Sequence, residues 1–286
     1  MEVDDLNAGG GGTAWGHTRK FSNRMAYDHD YGNGYNWLVR EWPYLVAQGP
    51  LVPWSSSSSS SAAGPSSSSS SAAIYVPQTI VVVRTSRSPL WFDYNGAQYV
   101  GRYGILDTLT YDPAHSQFVL TSQLGNVTDF QDFVQHAAPQ GLFKGYTASG
   151  GETIMVAQYS GRKIQQVQRT APSAGVTEQI TYSYAPNGGD LETVLLQRAI
   201  NGVMTNVRQA QYLYYGSGDL NGSPGDLQTA TAQTWNGGSW QDQKVYYYRY
   251  WRAIGGHRAR LLARRSAVRR ARTVLPARGP LLPTIC

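Results

Sequence analysis

From residue 74 to residue 251, short runs of β-branched and aromatic residues alternate with turns rich in glycine and asparagine. Thr79-Ile-Val-Val-Val83 is one such run, and Asn187-Gly-Gly189, Asn201-Gly202 and Asn236-Gly-Gly238 are three of the turns. Segments of this kind at short intervals predict antiparallel hairpins that follow one another in sequence. No amphipathic stretch of helical period exceeds two turns, which excludes a helical bundle and an α/β nucleotide-binding enzyme.

Composition agrees with an all-β fold. Charged residues make up 15% of the 286 residues, against about 25% in an average soluble protein. Glycine (31), tyrosine (20) and tryptophan (8) take their place. No run approaches the ~18 apolar residues that a spanning helix needs, so we expect no membrane span. The sequence predicts an antiparallel meander that forms a curved sheet or a partial shell.

The net charge of +6 comes from the last thirty residues. Residues 257–286 carry eight of the 24 basic side chains and no acidic one, so the remainder has 16 basic against 18 acidic residues. One interpretation is a basic amphipathic helix over 258–272 that binds nucleic acid or an acidic membrane surface. The other is out-of-frame translation, because arginine, alanine, proline and glycine have GC-rich codons, and this segment would then be disordered.

Four regions follow from these changes in composition. Residues 1–54 form an aromatic and glycine-rich β segment, and residues 55–73 form a serine-rich linker that we expect to be disordered. Residues 74–251 are the β-repeat region, and residues 252–286 are the tail. The one cysteine, Cys286, excludes a disulfide framework. We expect no secretory signal in this chain, because its first residues lack a basic and an apolar segment.

Two groups of residues are candidate binding sites. Oxygen-bearing side chains alternate in a loop, as in calcium loops, at Asp219, Asn221, Ser223 and Asp226. A turn whose side chains bond their own backbone explains that loop equally well. Trp235, Trp240 and Tyr247 could form an aromatic surface for sugars or bases, although cross-strand packing within a sheet also explains them.

Catalytic patterns do not emerge from the sequence. The five histidines stand at positions 17, 29, 115, 136 and 257, and none is four residues from another. There is no His-Glu-x-x-His motif and no Gly-x-Ser-x-Gly elbow. We therefore expect a protein that is not an enzyme and that uses no cofactor and no metal.

The register of the repeat units predicts which side chains share a buried layer. We expect an apolar layer formed by Ile154, Val156, Ile164, Val167, Val194 and Leu196. Glu152, Thr153 and Gln165 are expected at or outside its margin.

Recurring tyrosines give the chain a family resemblance. The units contain Tyr111-Asp112, Tyr159-Ser-Gly161-Arg162, Tyr182-Ser-Tyr184 and Tyr212-Leu-Tyr214, each followed by a glycine turn or by alternating aliphatic residues. This frame resembles the tyrosine–aspartate (YD) repeat of Rhs proteins, and residues 15–250 resemble large Rhs-repeat proteins of planctomycete type. Among these units only the first has a literal Tyr-Asp pair, Tyr111-Asp112, and the Asp-Pro-x-Gly boundary of the Rhs core is absent.

The resemblance implies a structural role. In that family, stacked YD hairpins build a shell around a cargo polypeptide, which implies a surface or secreted protein and a fragment of a larger one. The expected partners are the remainder of that larger repeat protein or its cargo. Two alternatives stay open. One is a carbohydrate-binding β-module that uses exposed tryptophan and tyrosine. The other, the least favoured of the three functions, is nucleic-acid binding through the arginine-rich tail.

Overall fold

The computed structural model describes residues 3–8, 15–21, 32–34, 37–54, 73–84, 89–133, 140–172, 175–186, 189–251 and 260–267. For Trp251 and residues 260–267 it describes the backbone alone. The serine-rich linker, apart from Ala73, and Asp28-His29-Asp30 lie outside these residues. The described part of the chain holds no helix of the length and apolarity that a membrane span requires.

Three antiparallel sheets make up the described chain. The first has the order β1 (Val3–Ala8), β2 (Trp15–Phe21), β3 (Trp37–Val39). The second has the order β4 (Tyr44–Pro53), β5 (Tyr75–Val83), β6 (Pro89–Tyr94), β7 (Tyr99–Gly101). Strands β4 and β5 pair with each other although the serine-rich segment separates them in sequence.

The third sheet has twelve strands in unbroken sequence order. They are β8 (Thr108–Asp112), β9 (Gln117–Thr121), β10 (Val127–Gln131), β11 (Phe143–Thr147), β12 (Thr153–Ser160), β13 (Lys163–Ala171), β14 (Val176–Tyr184), β15 (Leu191–Ile200), β16 (Val203–Tyr214), β17 (Leu227–Trp235), β18 (Trp240–Trp251) and β19 (Arg260–Ala267). The predicted all-β antiparallel meander with an open, curved sheet is confirmed.

Turn chemistry sets the hairpins. Ile200 pairs with Val203, so Asn201 and Gly202 alone form the β15–β16 turn. Both have positive φ, 51° and 80°. Two left-handed residues define the type I′ turn, whose twist matches that of the flanking strands, and Asn-Gly is its preferred pair. The dipeptide therefore fixes the register of this hairpin.

Two apolar clusters form the interior. One lies between strands of the second sheet and β8–β10. The other lies between the first sheet and one face of strands β11–β18, which we call the inner face. Trp15, Trp37 and Trp42 are 0–3% exposed there. Burying such large side chains contributes about 1.5–3 kcal/mol each, so the segment before the linker supplies much of the cover of the inner face.

The predicted apolar layer is largely present. Five of its members, Ile154, Ile164, Val167, Val194 and Leu196, are at most 7% exposed, and the sixth, Val156, is partly buried against them. Glu152 was expected at the margin and is instead buried. The reason is its ion pair with Arg169, which alternation alone does not reveal.

The tail contains a strand where one interpretation placed a helix. Residues 260–267 pair antiparallel with β18. The edge of β18 offers unpaired main-chain N–H and C=O groups, and these accept a further strand with little regard to side chains. The helical interpretation of the segment is therefore wrong for residues 260–267. Residues 268–286 lie outside the described chain.

Candidate functional site

Tyrosines at the ends of strands β12, β14, β16 and β18 form a recurring contact. The hydroxyl of Tyr184 donates to the carbonyl of Ile164 at 2.7 Å, that of Tyr214 to Leu191 at 2.6 Å, and that of Tyr250 to Leu227 at 3.0 Å. Tyr159 donates in the same way to the carbonyl of Phe143. We call these four residues the hairpin tyrosines.

Each hairpin tyrosine closes the open end of its own hairpin. The pairing of β15 with β16 ends at Thr193, two residues after Leu191, and that of β17 with β18 ends at Thr229, two residues after Leu227. The carbonyls of Leu191 and Leu227 therefore lie beyond the last main-chain pair of their hairpins, and each accepts a hydrogen bond from the tyrosine hydroxyl. A buried carbonyl without a hydrogen-bond partner costs about 1–3 kcal/mol. The tyrosine hydroxyl avoids this cost because it takes the place of a main-chain N–H donor.

The repeat residues therefore have distinct roles. Tyr182 lies on the inner face, where its hydroxyl accepts from the indole N–H of Trp42 at 2.6 Å. Gly161, with φ at 56°, forms the β12–β13 turn, and Arg162 donates to the carbonyl of Gln140.

The Tyr-Asp pair of the first unit, Tyr111-Asp112, makes no hairpin-tyrosine contact. Tyr111 donates to Asp132 at 3.2 Å. Asp112 caps its own turn by accepting from the main-chain N–H of Ala114 at 3.0 Å. A hydrogen bond from His115 lowers the pKa of the Asp112 carboxyl.

A buried arginine joins the first sheet to the third. Arg19 of β2 is 2% exposed, pairs with Asp5 and donates to the hydroxyl of Tyr248 at 2.6 Å. Tyr212 donates to the same carboxylate at 2.7 Å. The guanidinium carbon lies 5.3 Å from the ring centroid of Tyr248 and 5.6 Å from that of Tyr246, distances typical of cation–π contacts.

The charge states in this cluster follow from burial. Burial alone lowers the pKa of Arg19, but Asp5 and the two tyrosine hydroxyls outweigh it and raise that pKa. Burial, with the nearby Arg19 charge, lowers the pKa of His17 to about 3. His17 is therefore neutral at physiological pH, and its Nε2 has no hydrogen-bond partner among the described residues.

A second buried charge cluster lies further along the sheet. Arg169 and Glu178 are fully buried and bond to each other at 3.0 Å. Arg169 also donates to Glu152 at 2.6 Å, and Arg198 donates to Glu178 at 2.7 Å. The indole N–H of Trp15, from the first sheet, completes the set of donors to Glu178. Two cations and two carboxylates balance, which satisfies the requirement that buried charges be paired.

Sequence reasoning missed these five charged residues: Asp5, Arg19, Glu152, Arg169 and Glu178. A signal was present, since Arg169 has the same strand parity as Val167 and Ala171, and Glu178 the same parity as Ile180 and Tyr182. Alternate residues face the same side of a sheet. A charge at an inward position therefore indicates a buried partner.

The predicted calcium loop bonds to its own backbone. Asp219 accepts from the N–H of Gly216 at 2.7 Å, and Asp226 accepts from that of Ser223 at 2.9 Å. Asn221 contributes its main-chain carbonyl to the N–H of Tyr250. In the described part of the chain, no three His, Cys, Asp or Glu side chains gather where they could hold a metal ion.

The predicted aromatic surface is partly assembled. Trp235 and Trp240 pair across the β17–β18 hairpin with ring centroids 5.0 Å apart, and both are half-buried. Tyr247 lies further along β18 on the same, outer face and has Arg249 over its ring at 5.6 Å. The structure thus brings the two tryptophans together and leaves Tyr247 in a separate contact.

Two adjoining cavities of about 320 and 280 Å³ lie where the three sheets meet. They share Pro43, Thr128 and Tyr146, and the smaller one has Trp42 and Phe143 in its wall. The arginines of the larger cavity, Arg40 and Arg84, are already paired with acidic side chains. The cavities can hold an apolar group, but they present no cluster of groups for acid–base or nucleophilic chemistry.

Comparison with known proteins does not identify a family for this chain. No family model matches the chain, and no curated protein matches it at a significant level. Among solved structures, the N-terminal domain of the effector protein SpvB from Salmonella typhimurium strain LT2 is similar at 11% identity with a TM-score of 0.37. That match covers 94% of this chain and 98% of the SpvB domain. A likeness at this TM-score carries no argument about fold or function.

Proposed function

We propose that this chain is a non-enzymatic scaffold built from YD-like (Rhs-type) hairpins, and that it belongs to a surface or secreted protein. The observation that carries the proposal is the hairpin tyrosine, which closes four successive hairpins in the same way. A repeated side-chain contact at a fixed place in each unit is typical of repeat architectures, in which each unit packs on its neighbours. The role is architectural, and the partner is the remainder of a larger repeat protein or its cargo polypeptide.

Buried charge supports the same proposal. The Arg19 and Arg169 clusters each join the first sheet to the inner face of the third. Each buried arginine is held in an ion pair, and breaking one such pair is costly. This arrangement suits a rigid wall better than an active site.

The test is hydrogen exchange along the array. Tyr184→Phe removes the hydroxyl that closes the β13–β14 hairpin. We expect faster exchange in that hairpin, a smaller rise in the two adjacent hairpins, and no change in β4–β7, because coupling in a repeat array passes between nearest neighbours. Tyr75→Phe is the control, since Tyr75 is 44% exposed and belongs to the second sheet. A uniform change in all three sheets, or no change near Tyr184, would contradict the proposal.

Carbohydrate binding is a second candidate function. One observation favours it: Trp235 and Trp240 form a half-exposed edge-to-face pair on the outer face, with their rings inclined at 60°. Exposed aromatic pairs of this kind give sugars an apolar face on which to stack.

A further inference from the structure

The outer face of strands β13–β17 carries three cross-strand rows without a charged residue. The pairing of the strands defines the members of each row. The rows are Gln168, Gln179, Gln197 and Asn206; Gln166, Thr181, Leu195, Gln209 and Gln233; and Ser183, Thr193, Gln211 and Thr231. Exposed surfaces usually carry both signs of charge at a density of about 25–35%, so this face, which we call the amide face, is unusual.

Hydrogen bonds run along these rows from amide to amide. Gln179 donates to Gln197 at 3.4 Å, and Gln197 donates to Asn206 at 3.0 Å. In the next row, Gln209 donates to Gln233, which in turn donates to Asp242 of β18 at 2.7 Å. The side chains are therefore held in position before any ligand arrives.

The rows leave hydrogen-bonding capacity unused. A glutamine amide has two N–H donors and two acceptor lone pairs. Gln197 and Gln233 each spend one donor and one acceptor within their row, and both are partly exposed. Each retains one donor and one acceptor side by side, the combination that matches a hydroxyl group.

The tryptophan pair stands at one end of the amide face. Trp235 directly follows Thr234, which is the cross-strand partner of Arg208. The cross-strand partner of Trp235 on β18 is Trp240. Both belong to the same face as Gln233, because Gln233 and Trp235 are two residues apart on one strand. An aromatic platform therefore continues the uncharged rows.

We propose that the amide face binds a neutral, β-linked polysaccharide laid across strands β13–β17, with Trp235 and Trp240 of the β17–β18 hairpin stacking on one sugar ring at the end of the rows. This rests on the second candidate function above. Three observations select the occupant. The absence of charge in the rows gives no attraction to a polyanion. The paired donors and acceptors suit hydroxyl groups. The spacing between neighbouring strands, about 4.8 Å, is close to the length of one β-linked pyranose unit.

The experiment titrates the full chain with cellohexaose and follows tryptophan fluorescence and calorimetric heat. We expect binding that changes little with salt, because no ion pair forms. Trp235→Ala and Trp240→Ala should each weaken it roughly tenfold, the size of effect that loss of an aromatic contact produces. Gln197→Ala should weaken it severalfold. Tyr75→Ala and Gln48→Ala, at exposed sites of the second sheet, should leave the affinity unchanged.

Each other outcome has a definite meaning. Loss of affinity in the tryptophan variants with none in Gln197→Ala overturns the amide-face proposal but keeps carbohydrate binding. No binding of cellohexaose overturns both. Self-association that Gln197→Glu abolishes, without glycan binding, assigns the face to a second copy of the chain and also overturns the proposal. The scaffold function is tested separately by hydrogen exchange, so the two can fail independently.

Discussion

Replacing the buried carboxylate of Glu178 by an amide should be among the most damaging conservative changes in this protein. Glu178 is fully buried and accepts hydrogen bonds from Arg169 at 3.0 Å, from Arg198 at 2.7 Å and from the indole of Trp15. Glu178→Gln keeps the shape but removes the charge, so Arg169, itself fully buried, keeps Glu152 as its one charged partner in the cluster.

The magnitude follows from the burial of both partners. Breaking a buried ion pair by removing one partner costs about 3–5 kcal/mol, a large share of the 5–15 kcal/mol that stabilises a typical domain. With a urea dependence of about 1–3 kcal/mol per molar, the unfolding midpoint should fall by about 1 M or more. Intrinsic tryptophan fluorescence is the assay, because Trp15 lies at the site.

Two comparisons decide whether the reasoning holds. Glu192→Gln changes an exposed carboxylate on the same strand as Arg198 and should stay within about 0.5 kcal/mol of the parent. The loss in Glu178→Gln should be the same in about 0.1 M and about 1 M NaCl, because salt does not screen a pair inside the protein. A loss below about 1 kcal/mol, or one that disappears at high salt, would refute the buried cluster.

Two further predictions concern the core. His17 has its pKa lowered to about 3 in the folded protein, so between pH 6.5 and 3 the unfolded chain binds a proton that the folded chain does not, and stability falls as the pH is lowered. The free energy of unfolding should fall by about 2 kcal/mol from pH 7 to pH 5. Urea titrations at both pH values should show a smaller fall in His17→Gln, and an equal fall in that variant would contradict the assignment. Val167→Ala should cost about 2–3 kcal/mol and Val156→Ala about 1 kcal/mol, because Val167 is fully buried and its cross-strand partner Val156 is only partly so; equal losses in thermal unfolding would mean that the inner face is not packed as described.

Local pattern was enough to predict an all-β chain of consecutive antiparallel hairpins. Asn201-Gly202 predicted a tight turn and formed one, and alternation along β15 placed Val194 and Leu196 on one buried face. These outcomes depend on contacts between neighbours in sequence. Turn residues act within four positions, and strand alternation has a period of two.

Glu152 shows where pattern stopped being sufficient. Its charge predicted exposure, but Arg169, the cross-strand partner of Ile154, reaches it diagonally across the β12–β13 pair, and the ion pair makes burial possible. A rule based on neighbouring residues includes the free-energy cost of burying one carboxylate. It does not include the ion-pair partner that offsets this cost. Arg19 and His17 also contact residues that are remote in sequence, Tyr248 at a separation of 229 residues and Tyr182 at a separation of 165.

The sequence by itself determined an all-β chain of consecutive hairpins, because hairpin formation needs only adjacent strands and the turn between them. It also singled out Tyr184 and Tyr214 as recurring positions without saying what their hydroxyls do. Tertiary structure alone decided that each hydroxyl meets a main-chain carbonyl at the open end of its hairpin. It alone decided too that the first sheet covers the inner face and that glutamines from five strands, β13–β17, fall in cross-strand rows on the other face. Those contacts depend on register and on which sheet packs against which, and both are set by the total of many long-range contacts.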